Sequence, residues 1–247
     1  MFKKITLLSF TLLLAMQLVA CLPRPSSSES EDDNTIPHGT STTMPTVAES
    51  AMSGGRKRLE VVLFKEYINL LNSCLQRSNQ IAKDVLADPS MTSIESSAME
   101  HERNILTKYV RDSKEALTAI LPADKNDQNN RFFFAMGKDF VLEDFNGFNR
   151  RRASTTDELT PEEKVSWETL KKHGALEYTE DMEKRSKDFG CHIVDEFDKY
   201  MKSLSVSEKE KEKEMVEVWD KYTKNELNMD KAEFGEKLFL QLFQYES

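Results

Sequence analysis

The chain has 247 residues, of which 38% are hydrophobic and 31% charged, with only 8 Gly, 7 Pro and 3 Cys. So few Gly and Pro beside so many Glu, Lys and Leu argue against an all-β sandwich or barrel, which needs a turn signal every ten or so residues, and against collagen-like or low-complexity chains. A formal charge of −9 argues against a nucleic-acid-binding surface, because such surfaces neutralise phosphates with clustered Lys and Arg.

The chain opens MFKKITLLSFTLLLAMQLVAC. Lys3 and Lys4 form a positive start, and Ile5 to Ala15 is apolar apart from Thr6, Ser9 and Thr11. The run is too short for a spanning helix and a cleavage pattern follows it, so residues 1–20 read as a secretory signal. Leu18-Val19-Ala20-Cys21 resembles a bacterial lipobox. Small or aliphatic residues fit the signal peptidase there, and the Cys21 thiol receives the diacylglycerol. Two or three acyl chains on one residue anchor stably where one is marginal. Cleavage before Cys21 leaves 227 residues and, with Lys3 and Lys4 gone, takes the charge from −9 to −11. Cys74 and Cys191 are then the remaining thiols. Outside the cytoplasm they are either one disulfide closing a long loop, worth ~2–4 kcal/mol, or two separate small residues packed in helices. The sequence leaves both open.

Residues 22–57 are rich in Ser, Thr, Pro and acidic residues and show no apolar periodicity. Such a stretch cannot bury enough surface to offset its ordering entropy. With Cys21 it reads as a lipidated, disordered tether over 21–57 that holds a domain roughly 30–40 Å from a bilayer.

From residue 58 the texture is helical, with possible sub-parts at 58–149 and 157–247. Leu59, Leu63, Tyr67, Leu70, Cys74, Ile81 and Val85 recur at helical spacing, and Asp88-Pro89 ends that helix. Thr92-x-x-Glu95 is the pattern of a capping box for a second helix. Its stripe is Ile94, Ala98, His101, Ile105, Tyr109, Ala116 and Ile120. Matching lengths and a short connection predict an antiparallel pair. Residues 131–149 hold Phe132, Phe133, Phe134, Phe140, Phe145 and Phe148, half of the twelve Phe that follow the signal. Phe133, Phe140 and Phe148 predict the buried stripe of a central helix, the alternative being an exposed aromatic contact site. Arg150-Arg151-Arg152 then reads as a basic, solvated loop.

Thr160-Pro161-Glu162-Glu163 opens a short helix with Val165, Trp167 and Leu170, stopped at His173-Gly174. A long helix from about Thr179 carries Met182, Phe189, Ile193, Phe197, Tyr200 and Leu204. Ser207-x-x-Glu210 caps the next, with Met215, Val218, Trp219 and Tyr222 on one side, and Asp230-x-x-Glu233 caps the last, with Phe234, Leu238, Leu242 and Tyr245. About seven helices and no convincing strand predict an all-α helical bundle behind the tether.

The chain offers little chemistry. No glycine spacing matches a phosphate-cradling loop and no Gly-x-Ser-x-Gly elbow occurs. The four His are His38, His101, His173 and His192, with no His-Glu-x-x-His or Cys-x-x-Cys, so no metal site and no cofactor is expected. Cys191-His192 with Asp195 and Glu196 is the only cluster of ligand types, and an i,i+4 His192–Glu196 surface pair accounts for it. His101 reads as a core or boundary residue. No catalytic residues are expected, and the chain reads as no enzyme.

The stretch from Leu159 to Lys172 (LTPEEKVSWETLKK), then Glu196 to Ser205 (EFDKYMKSLS), the charged run after it and Val218-Trp219-Asp220-Lys221-Tyr222 resemble the multicopy lipoprotein (Mlp) family of Borrelia-type spirochaetes. The resemblance covers the signal loosely and residues 159–225; residues 58–150 have no counterpart in it, and the chain is longer than typical members. It implies a surface-exposed outer-membrane lipoprotein with a role in host interaction, and it supplies no catalytic residues. Two functional readings follow. One is a lipid-anchored binding module that meets host plasma or matrix proteins; the alternative is a periplasm-facing structural or assembly lipoprotein of the envelope.

Overall fold

The computed structural model describes residues 54–121, 128–154 and 158–243. The expected signal and nearly all of the expected tether, with Cys21, His38 and Tyr245, lie outside the described residues. Among these residues the protein is all-α, with nine helices and no strand. No helix among them is long and apolar enough to cross a membrane.

Helix α1 spans Gly54–Ala87 and starts four residues before the expected boundary, since Arg56 bonds forward to Glu60 at 3.1 Å and across to Glu212 at 3.3 Å. It buries Leu59, Leu63, Tyr67, Cys74, Ile81 and Val85 as expected, with Leu71 and Leu75 in the core and Leu70 only half-buried. Asp88 ends it by capping a one-turn helix α2 (Pro89–Thr92), its side chain accepting from the Ser90 amide at 2.9 Å.

The next helix, α3 (Ser97–Thr118), starts later than the Thr92-x-x-Glu95 pattern predicts. Thr92 belongs to α2, and Ser96 is the N-cap, its hydroxyl accepting from the Met99 amide at 3.1 Å. The buried stripe turns with that start: Met99, Leu106, Tyr109 and Ser113 face inward, while His101 and Ile120 are exposed. α3 runs antiparallel to α1, as expected. Near one end Asn79 Nδ2 donates to Ser113 Oγ at 2.7 Å and Ser78 shares a 2.5 Å bond with the Tyr109 hydroxyl. Further back along α1 and further on along α3, Ile68 and Leu117 line one groove.

Helix α4 spans Gln128–Ser154 and so takes in Arg150, Arg151 and Arg152, which the sequence placed in a solvated loop. Arg150 pairs with Glu143. Arg152 is buried, stacks over the Phe148 ring at 4.7 Å and bridges Glu102 of α3 and Glu163 of the next helix, the latter at 2.8 Å. Helical continuation here follows from partners that a local reading of three arginines does not show.

Helix α5 (Pro161–Lys172) begins with the expected Thr160/Glu163 capping box. Gly174, at φ 91°, turns the chain straight into α6 (Ala175–Ser203), earlier than Thr179. Lys172 and His173 close on the buried Asp88 carboxylate at 2.7 and 2.8 Å, fastening the end of α5 to the end of α1. The single helix expected after Ser207 is two, α7 (Val206–Lys211) and α8 (Lys213–Thr223), broken at Glu212, and the cap is Ser205 with Glu208 rather than Ser207 with Glu210. The last helix, α9 (Lys231–Phe243), has the expected Asp230/Glu233 box, with bonds of 2.9 and 3.1 Å. It lies on α6, and the Tyr222 and Phe234 rings stack at 3.8 Å where α8 meets it. One apolar core runs from Leu59 to Phe243.

Candidate functional site

Helix α4 departs most from its sequence reading. Phe145 and Phe148 are buried with Leu142, as an apolar central helix requires. Phe133 and Phe140 are not, being 54% and 47% exposed. The inward stripe instead combines Ala135, Met136, Leu142, Phe145 and Phe148 with Lys138, Asp139, Asn146, Asn149 and Arg152. Several of these polar groups are used structurally. Lys138 stands over the Phe134 ring at 4.9 Å and donates to the Ala116 carbonyl at the end of α3, and its desolvated ammonium is held below the usual lysine range. Asn146 accepts from the Tyr178 hydroxyl at 3.2 Å. The expected stripe of Phe133, Phe140 and Phe148 is therefore corrected to one rotated around the helix, and the alternative of an exposed aromatic face is what the structure presents.

Beside that face lies a narrow cleft of about 30 Å³ between α1, α4 and α9. Phe64, Tyr67, Phe132, Phe239 and Phe243 supply aromatic walls, and Asp139 is its one acidic lining residue. Asp139 is 4% exposed and makes no hydrogen bond or ion pair with any described residue. Burial, with Glu143 one turn on, pushes its carboxyl up to about 7. A wider polar groove of about 600 Å³ runs between α1 and α6, over Cys74, Arg77, Tyr178 and Arg185. Its charges largely cancel, because Asp181 holds Arg185 at 2.6 Å and Glu177 stands in the same lining.

The other sequence candidates do not come together. Cys74 and Cys191 are free thiols; Cys74 is buried and its thiol is pushed up to about 11 by desolvation, while Cys191 is half-buried. His192 does not pair with Glu196. It lies 2.8 Å from Glu66 of α1, at ion-pair distance but without hydrogen-bond geometry. Glu196 bonds Lys199 at 2.5 Å and Asp195 bonds Lys231 at 2.6 Å, so the cluster after Cys191 is dispersed among separate partners. Among the described residues no group of His, Cys, Asp and Glu is placed to hold a metal ion. His101 stands in solvent on α3 rather than in or beside the core.

Sequence reasoning passed over Asp139, Phe64 and Phe239. A signal existed for the first: Asp139 is three residues before Leu142 and four after Ala135, on the same helical face as both. No family model, curated protein or solved structure matches this chain.

Proposed function

We propose that the chain is a bacterial lipoprotein, anchored in the outer membrane through acyl chains on Cys21, whose helical domain is a non-catalytic binding module for host plasma or matrix proteins. The Leu18-Val19-Ala20-Cys21 motif and the polar stretch behind it support the anchor and the spacer. The wording of residues 159–225, similar to the Mlp family, supports display on the surface. The observation that carries the binding reading is the pair Phe133 and Phe140, two large apolar rings left in solvent on one helix of a domain that buries Phe145, Phe197 and Phe234 completely. Exposed aromatic rings are enriched where proteins meet partners. The strongly acidic chain favours partners with basic patches, since complementary fields speed encounter.

The test has two arms. Cells fed clickable palmitate label the wild-type protein and not Cys21→Ala, and protease added to intact cells removes it; labelling of the variant refutes the anchor, and survival of the protein moves it to the periplasmic side. In surface plasmon resonance against host plasma and matrix proteins at two salt concentrations, saturable binding is expected to weaken with salt. Phe133→Ser/Phe140→Ser is expected to lose at least tenfold in affinity with an unchanged melt. Binding that is indifferent to both serines refutes this face.

A further inference from the structure

The cleft beside the exposed rings combines features that together suit one chemical group. Its walls are the aromatic side chains Phe64, Tyr67, Phe132, Phe239 and Phe243, and a buried carboxyl from Asp139 lines it with no partner among the described residues. A carboxyl this deeply buried without a hydrogen bond to the protein is costly, and a charged donor offsets that cost best. Aromatic faces attract cations through the ring quadrupole. Phe64 itself carries a cation: the Arg131 guanidinium lies 5.9 Å from its ring centroid, on the side of the neighbouring groove with Ile68 and Leu117, and it makes no ion pair with Asp139. The room inside, about 30 Å³, corresponds to roughly two water molecules on a scale where one water needs about 10–15 Å³. An ammonium head is of water size, whereas a guanidinium or a trimethylammonium is larger.

We infer that this cleft receives a primary alkylammonium group, the end of a lysine side chain presented by a partner protein, with the ammonium donating to the Asp139 carboxylate and the butyl stem lying against the aromatic wall. A primary ammonium carries the hydrogen-bond donors that a quaternary one lacks. The exposed Phe133 ring packs edge-on against Phe132 of the wall, centroids 5.8 Å apart, so a partner that covers Phe133 brings its side chains to the cleft. The site deepens the binding reading above and rests on it only for the source of the lysine; the cleft's preference for an alkylammonium is measurable without any host protein.

The experiment uses the full chain with methyl-labelled Met136 and Leu240, both of which line the cleft. It is titrated with the peptide acetyl-Gly-Lys-Gly-amide, the same peptide with acetyl-lysine, and the same peptide with norleucine. Saturable shifts of both methyls by the lysine peptide are expected, at least tenfold weaker with either neutral analogue and at least tenfold weaker in Asp139→Asn. Equal response to the lysine and norleucine peptides makes the cleft a plain apolar notch and overturns the proposal, as does no saturable shift with any peptide. The comparison among peptides on the wild-type chain stands even if Asp139→Asn alters folding. A positive result without any host-protein binding retains the cleft and removes the partner reading; host binding indifferent to Asp139→Asn does the reverse.

Discussion

Glycine-to-alanine substitution has opposite expected outcomes at two positions of the bundle, one at a close helix crossing and one in open space. Where α6 meets α9, a Cβ placed on Gly235 would stand 1.8 Å from the Gly190 carbonyl oxygen and 2.5 Å from its carbon. Both obstructing atoms are backbone, which cannot rotate aside as a side chain does, so Gly235→Ala must push α9 outward by at least about 1 Å. Overpacking a core ordinarily costs ~1–3 kcal/mol. Here the displaced helix carries Phe234, Leu238, Phe239, Leu242 and Phe243, all buried, so the expected cost is ~3 kcal/mol or more. In a domain of this size each kcal/mol moves the melting temperature by ~2–4 °C, which predicts a fall of roughly 6–12 °C. Gly137, inside α4, has nothing within 4 Å of its would-be Cβ. Gly137→Ala only removes backbone freedom from a helix interior, and a gain of ~0.5–1 kcal/mol is expected. Thermal unfolding followed by circular dichroism at 222 nm, with both variants beside wild type, reads both signs at once. A Gly235→Ala midpoint within about a degree of wild type would refute the close crossing, and equal losses at both sites would show that glycine flexibility rather than helix distance sets the effect.

Three further outcomes follow from packing and charge. Phe145→Ala empties a fully buried site and is expected to cost ~3–5 kcal/mol, whereas Phe140→Ala, half in solvent, is expected to cost less than ~1 kcal/mol; urea unfolding of the pair checks the corrected register of α4. Arg152→Ala leaves Glu102, 3% exposed, as an uncompensated buried charge, with an expected loss of ~3–5 kcal/mol that Arg152→Lys only partly restores, read by the same urea midpoints. Burial raises the carboxyls of Asp139 to about 7 and of Glu236 to about 8, both above their unfolded values, so the folded state holds protons that the unfolded chain has released. Stability from these two is therefore full below the unfolded carboxylate range, declines from about pH 4 upward and is lost once pH has passed the folded values of about 7 and 8, by up to ~4 kcal/mol for Asp139. Asp88, Glu163 and Glu208, whose carboxyls are held low by their hydrogen bonds, act oppositely and lose their contribution only in strong acid. Melting temperatures across pH 4 to 9 should peak on the acid side of neutrality, and Asp139→Asn should flatten the fall between about pH 4 and 7; a peak above pH 8 contradicts the assignment.

The fold class was legible because capping boxes and stripes are local. Thr160 with Glu163 and Asp230 with Glu233 sit where the sequence puts them, since a cap needs only a side chain and an amide three residues away. The same locality misled at Thr92 and Ser207, where a matching pattern lies two to four residues from the cap that forms. Choice of a cap there is made by what the helix packs on: Arg103 seals the α2–α3 connection onto the Met91 and Ile94 carbonyls, and that fixes where α3 begins. The face of α4 was illegible for a stronger reason. At 100° per residue Phe132, Phe133 and Phe134 cannot all point inward, and counting Phe does not select among them. The stripe that is buried contains Lys138, Asp139, Asn146 and Arg152, so a hydropathy reading rejects it, and only partners on other helices, the Ala116 carbonyl, Tyr178, Glu102 and Glu163, make it the inner one.

That choice has an energetic consequence that bears on function. Turning α4 about its axis would bury Phe133 and Phe140, each ring worth ~1.5–3 kcal/mol by transfer, and release Asp139 and Asn149 to water, but it would also expose Leu142, which lies between those two on the helix, and Ala135 beside it. The observed register is held by buried Leu142, Phe145 and Phe148 together with the Arg152 bridge, the Lys138 cap and the Asn146–Tyr178 bond. Lys138, Asn146 and Arg152 account for the register without Asp139, and also without Asn149, whose amide atoms have no partner among the described residues. An unsatisfied buried polar group typically costs ~1–3 kcal/mol, a large share of a marginal folding free energy. Stability thus explains the partnered groups and leaves Asp139 and Asn149 unexplained, and of the two Asp139 lies in the cleft whose wall the exposed Phe133 ring touches. A fold that leaves Phe133 half in water against the wall of a cleft lined by a buried, unpartnered carboxyl has its uncompensated groups where a partner with an apolar surface and a cationic tip satisfies both.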